Sequence, residues 1–173
     1  MTTAPTNPNV EAIRLSVQQS CTDLLELMNG PLAKLPPEKL YKEPIAGEWS
    51  IMQNLAHIIE FMPYWGHEIE KLVAHPGQNF GRTAQDERRL RAIEEHGRDC
   101  LEQIKEELPR SYAQLDEVLG KLKDSDLQLT GQHIRYGEKS LAWFIEDFVT
   151  QHLLNHIEQI HLCIKGIDGH PTT

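Results

Sequence analysis

Along four separate segments of this chain, apolar residues recur at steps of three or four, and no feature restricts the fold more. The first segment carries Val10, Ile13, Val17, Cys21, Leu24 and Met28, and the second Ile51, Leu55, Ile58, Met62, Trp65, Ile69 and Leu72. The third carries Leu90, Ile93, Leu101, Ile104 and Leu108, resuming with Tyr112, Leu115, Val118, Leu119 and Leu122. The last reads Leu141, Ile145, Phe148, Val149, His152, His156, Ile160 and Ile164. A step of three or four is one face of a helix, and a helix with one apolar face must bury it against others. Helices are therefore expected over about 9–29, 50–74, 84–123 and 140–165, with no strand and no internal repeat. The expected fold class is all-α, an antiparallel four-helix bundle in a single domain over 1–173.

Start and stop signals frame these segments. Gly30-Pro31 ends the first, and the stretch from Leu32 to Glu48, with Pro36, Pro37 and Pro44, reads as a connection with at most a helical turn. Ser50 and Gln53 form a capping box for the second helix, and Thr83 to Asp86 and Ser140 offer caps for the third and fourth. Pro63 predicts a kink or short break near Phe61, and Pro109 makes the third segment either one kinked helix or two in line, since proline removes a backbone N–H and crowds the preceding turn. The segments 75–81 and 125–139 read as loops, and the last helix should end near Gly166.

Charge and cysteine usage narrow the functional classes. A formal charge of -9 over 173 residues has the wrong sign for nucleic acid. No apolar run reaches the roughly 20 residues that span a bilayer, and the polar N-terminus does not read as a signal peptide, so a cytoplasmic location is expected. Cys21, Cys100 and Cys163 are odd in number and lack a C-x-x-C, which favours ordinary, mostly buried thiols.

The histidines are the residues with chemistry to offer. His152 and His156 fall one helical turn apart on the apolar stripe, so both rings point inward. Buried imidazoles need partners; hydrogen bonding to neighbours and coordination of a common ion both satisfy them. Of the rest, His161 points elsewhere on its helix, His67 lies beyond Pro63, His75, His133 and His170 lie in expected loops, and His96 lies in a charged stretch. His57 remains, on the flank of the second helix that carries Phe61 and Tyr64, where a neighbouring helix could cover it.

Two motifs carry a family resemblance. Trp49-Ser50-Ile51-Met52-Gln53-Asn54-Leu55-Ala56-His57-Ile58 resembles a helix-two signature in which a Trp-Ser cap precedes a histidine seven residues after the Ser. Gln151-His152-Leu153-Leu154-Asn155-His156-Ile157-Glu158-Gln159-Ile160 resembles a late-helix H-x-x-x-H followed by Gln-Ile. Together they resemble the DinB-like (YfiT-like) superfamily of four-helix-bundle metalloproteins, whose helix order covers nearly the whole chain. The resemblance implies that His57, His152 and His156 ligate one divalent metal ion, with Zn or Ni as the leading candidates.

It also implies a small-molecule substrate, with a low-molecular-weight bacterial thiol as one candidate, and a homodimer is among the assemblies it allows. Three readings stay open: a thiol-dependent S-transferase, a metal-dependent hydrolase and a non-catalytic metal-binding helical protein. No catalytic acid or base is identifiable; Glu60 and Glu158 stand near the histidines but also fit solvated helix charges. Asn54, Gln151, Asn155 and Gln159 could orient the rings, while Trp49, Trp65 and Trp143 fit the core better than a pocket.

Overall fold

The computed structural model describes residues 9–168; the expectations for the polar N-terminus and His170 lie outside the described residues. Four long helices form the bundle: α1 (Val10–Asn29), α3 (Ile51–Ala74), α5 (Leu101–Lys121) and α7 (Gln151–Asp168). Between them lie the short α2 (Pro37–Leu40), α4 (Glu87–His96) and α6 (Leu141–Ile145), and a hairpin of β1 (Thr130–His133) and β2 (Gly137–Ser140). Helix α3 packs against α5 on one side and α7 on the other, and α1 closes the ring against the same two helices. The adjacency of α3 and α7 positions the histidines.

Local chemistry starts these helices as expected. The Ser50 hydroxyl accepts from the Gln53 amide and the Gln53 side chain accepts from the Ser50 amide, completing the capping box. Asp86 and Ser140 cap α4 and α6 in the same way, from Arg89 and Trp143. The stripe of α3 is almost dry: Ile51, Leu55, Ile58, Met62, Ile69 and Leu72 are buried against Leu24, Met28, Leu115 and Phe144 in one core.

Of the alternatives expected at the two prolines, the break at Pro63 and the division at Pro109 do not occur. Helix α3 runs unbroken through Pro63, and α5 through Pro109. The missing hydrogen bond costs about 3 kcal/mol in an isolated helix. Burial of the apolar stripe on both sides of each proline keeps the helix in one piece. The third helix breaks instead at Gly97–Cys100, where Gly97 N–H donates to the Ile93 carbonyl and the Cys100 amide donates to Gln103 Oε1 to start α5.

The hairpin corrects the expectation of no strand, in the segment read as a loop over 125–139. Its two four-residue strands pair Thr130 with Ser140 and His133 with Gly137, and Gly137 takes the left-handed conformation (φ 70°) that closes the turn. Short, polar strands such as TGQH and GEKS carry too few alternations to be seen in a sequence. They are held by the loop after α3: Gly77 N–H donates to the Thr130 carbonyl, Phe80 N–H to that of Gln132, and Gln132 N–H to that of Gln78. At Gly131 the backbone passes so close to Leu72 and the Gln78 carbonyl that a side chain would collide.

The last helix deviates from a regular wheel. Between α6 and α7, Glu146–Thr150 form a π-helical turn, which fits an additional residue into the helix and turns the following face by about one position. Leu153 takes the fully buried position predicted for His152, and His152 falls to the flank of the buried face.

Candidate metal centre

His57 from α3 and His152 and His156 from α7 meet at the seam between the two helices. His57 and His156 are buried and His152 is half-buried. Their Nε2 atoms converge: His152 Nε2 lies 3.0 Å from His57 Nε2 and 3.2 Å from His156 Nε2, and the three donor nitrogens all lie within 4.8 Å of one another. Trp49 stacks on His156 at 5.7 Å between ring centroids, and Phe61 meets His57 and His152 edge-on.

Hydrogen bonding settles the tautomer of His156. Asn54, in the first turns of α3, donates from Nδ2 to the Ser50 carbonyl at 3.0 Å, which leaves its Oδ1 to accept from His156 Nδ1 at 2.7 Å. His156 Nε2 is then a bare lone pair facing the cluster. His57 presents a similar arrangement with a looser partner. Its Nδ1 makes no hydrogen bond, and Glu60 Oε2 stands 3.4 Å away, held by Arg82 through contacts of 2.6 and 2.7 Å.

Burial keeps all three rings neutral. It is the largest cause lowering His57 and His156 to about 2 and His152 to about 4; the Arg89 guanidinium is the next cause for His57 and His152, and the neighbouring rings for His156. Neutral rings at these separations cannot satisfy one another. A single proton on His152 Nε2 would have to serve both neighbours. A cation serves all three lone pairs together. Nitrogens about 2.0–2.1 Å from one ion lie about 2.9 Å apart at octahedral and about 3.3 Å apart at tetrahedral angles, a range that spans the two observed separations. The donor set thus fits a divalent metal ion.

Two cavities flank the cluster and share His152 and Arg89. One, of about 330 Å³, is lined by His57, Arg82, His133, Arg135 and Phe148; the other, of about 870 Å³, by Trp49, Asn54, His156, Gln159, Leu162 and Cys163. His133, assigned to a loop from the sequence, is a buried strand residue that accepts from the Arg135 amide at Nδ1. Arg82, Arg89 and His133 were missed, because neither periodicity nor any local motif ties them to the histidines. Glu158 is exposed, and Gln151 bonds Asn155 on the surface, whereas Trp49 and Trp65 line cavities as well as packing. His67, His75, His96 and His161 are exposed and away from the cluster.

Comparison with known proteins completes the description. The fold matches YfiT from Bacillus subtilis, described as a probable metal-dependent hydrolase with an unusual four-helix bundle topology, at a TM-score of 0.70 and 11% identity over 99% of this chain and 95% of that one. It also matches a mycothiol-dependent maleylpyruvate isomerase at a TM-score of 0.60 and 8% identity, over 91% of this chain and 60% of that one. At such identities the likeness establishes the fold. Sequence comparison with curated proteins gives no significant match. The sequence profile of the DinB superfamily, however, matches residues 18–160, most of the chain, and this protein belongs to that superfamily.

Proposed function

We propose that this protein is a metal-dependent enzyme in which His57, His152 and His156 hold one divalent ion, Zn or Ni, and that it transfers a small thiol to an electrophile. The observation that carries the reading is the convergence of three neutral imidazole Nε2 atoms at a point that two separate cavities reach. A divalent ion there supplies Lewis acidity, which favours the deprotonated form of a thiol cosubstrate. Three uncharged ligands leave its charge uncompensated and so favour an anionic partner. Asn54 holds His156 in the tautomer that presents Nε2, and the Glu60 carboxylate, fixed by Arg82 and 3.4 Å from His57 Nδ1 without a hydrogen bond, favours the His57 proton on that nitrogen electrostatically. Trp49 and Phe61 wall the site with apolar faces that limit water.

Two cavities favour transfer between two bound reactants over hydrolysis, which needs room for one. The larger accommodates the thiol cosubstrate and the smaller the electrophile. Elemental analysis of protein purified without a histidine tag and reloaded with Zn or Ni should give one ion per chain. The His152→Ala, His156→Ala double variant should give none, and His161→Ala should match wild type. Adding cysteine or glutathione to a cobalt-loaded sample should change its visible spectrum. A spectrum indifferent to thiols, together with ester or amide cleavage, would replace transfer by hydrolysis; a metal content near zero would remove the enzyme reading altogether.

A further inference from the structure

We infer that the smaller cavity beside the histidines is an anion site, in which Arg89 and Arg135 bind the carboxylate or phosphate group of a small substrate whose reactive end faces His57 and His152. The inference rests on the proposed enzyme reading for the role of that substrate, but the site itself stands on separate residues. The chain is acidic overall, with a formal charge of -9, yet this cavity gathers three guanidinium groups, Arg82, Arg89 and Arg135, against one carboxylate, the exposed Asp147. Clustering against the sign of the whole molecule, inside apolar walls such as Phe148, focuses a positive potential on the cavity.

The three arginines are not equivalent. Arg82 is already neutralised by Glu60 at 2.6 Å and Asp86 at 3.6 Å, and its guanidinium lies 3.7 Å over the Tyr64 ring, so it acts as scaffold. Arg89 has no carboxylate within 4 Å among the described residues; it is half-buried, its Nη1 donates to the Ala84 carbonyl at 2.8 Å, and it lies 5.0 Å over the Trp49 ring. Arg135, on the exposed hairpin turn, likewise has no carboxylate within 4 Å among the described residues. Beside them, His133 accepts at Nδ1 from the Arg135 amide, so its Nε2 carries the proton and faces the Arg82 carbonyl at 3.4 Å, which ties the hairpin turn carrying Arg135 to the opposite wall of the cavity. Planar guanidinium groups bind carboxylate and phosphate oxygens in pairs, and a volume of about 330 Å³ suits a compact molecule of a few carbons.

The test is calorimetric titration of the protein as isolated, at constant ionic strength, with succinate, inorganic phosphate and the neutral succinamide, and metal content measured in parallel. At least one of the two anions should bind with one site per chain and succinamide should not; which anion binds separates a carboxylate from a phosphate substrate. Arg89→Gln and Arg135→Gln should each weaken binding about tenfold or more without changing metal content, while Arg14→Gln on the far surface should not. Arg135 lies on the exposed turn, so its variant keeps the test decisive if Arg89→Gln misfolds. Equal binding of succinamide, binding of neither anion, or wild-type affinity in the Arg135→Gln protein overturns the inference. Anion binding that depends on these arginines in a protein devoid of metal would instead overturn the metal reading and leave the anion site standing.

Discussion

His156 Nδ1 lies 2.7 Å from Asn54 Oδ1, and that single bond between α7 and α3 decides which nitrogen of His156 faces the other two rings. The Asn54 amide cannot be turned around without losing its own donation to the Ser50 carbonyl. The cap of α3 therefore sets the tautomer of a residue 102 positions later in the chain.

Replacing Asn54 should consequently weaken metal binding while leaving the three histidines in place. Asn54→Ala is expected to lose about 10–100-fold in affinity, and Asn54→Asp, which still accepts from Nδ1, to stay closer to wild type. Competition against a chromophoric chelator measures this. Equal affinity in the alanine variant would mean that the ring needs no such orientation.

Removal of the ion should lower the melting temperature without unfolding the chain. The core joins residues of all four long helices, so the ion adds only the stabilisation of a ligand bound to the native state. Far-ultraviolet circular dichroism after chelation should retain its helical amplitude. Loss of that amplitude would make the ion a structural staple.

The metal-free protein should lose stability as pH falls below about 6.5. Burial depresses the folded-state values of His57 and His156 to about 2 and of His152 to about 4, against 6.5 for an unburied ring. In that window the unfolded chain takes up protons that the folded chain refuses, so ν_U exceeds ν_N and stability rises with pH. Above the unfolded value both states are neutral and the dependence vanishes. Urea midpoints measured from pH 8 to pH 5 should fall only in the acidic half, and less steeply in His156→Leu.

The thiols should separate cleanly towards an alkylating reagent. Burial pushes Cys21 up to about 12 and raises Cys163, whereas Cys100 is exposed at the start of α5, in line with the expectation of mostly buried thiols. Iodoacetamide at pH 8 should therefore label Cys100 alone in the folded protein. Mass spectrometry of Cys100→Ser protein showing continued rapid labelling would contradict this burial.

Periodicity and caps were enough to identify four helices, the Ser50 capping box and the inward direction of His156, because each depends on residues within a turn or two of one another. The choice between a continuous and a broken α3 at Pro63 was not legible, since it depends on burial contributed by other helices. Nor was the π turn at Glu146–Thr150, which puts Leu153 where a regular wheel puts His152.

The residues around the histidines were the least legible of all. His57 approaches His152 across 95 positions of chain, and Glu60 meets Arg82 across 22. Arg89 and His133 reach the same cavity from α4 and from a hairpin too short and polar to leave a periodic trace. Local order was determined by the sequence through spacing and capping, whose energies act over a few residues. The tautomers, the neutral state of the buried rings and the basic cavity were decided only by the tertiary structure, because desolvation and electrostatics depend on what the rest of the chain brings alongside.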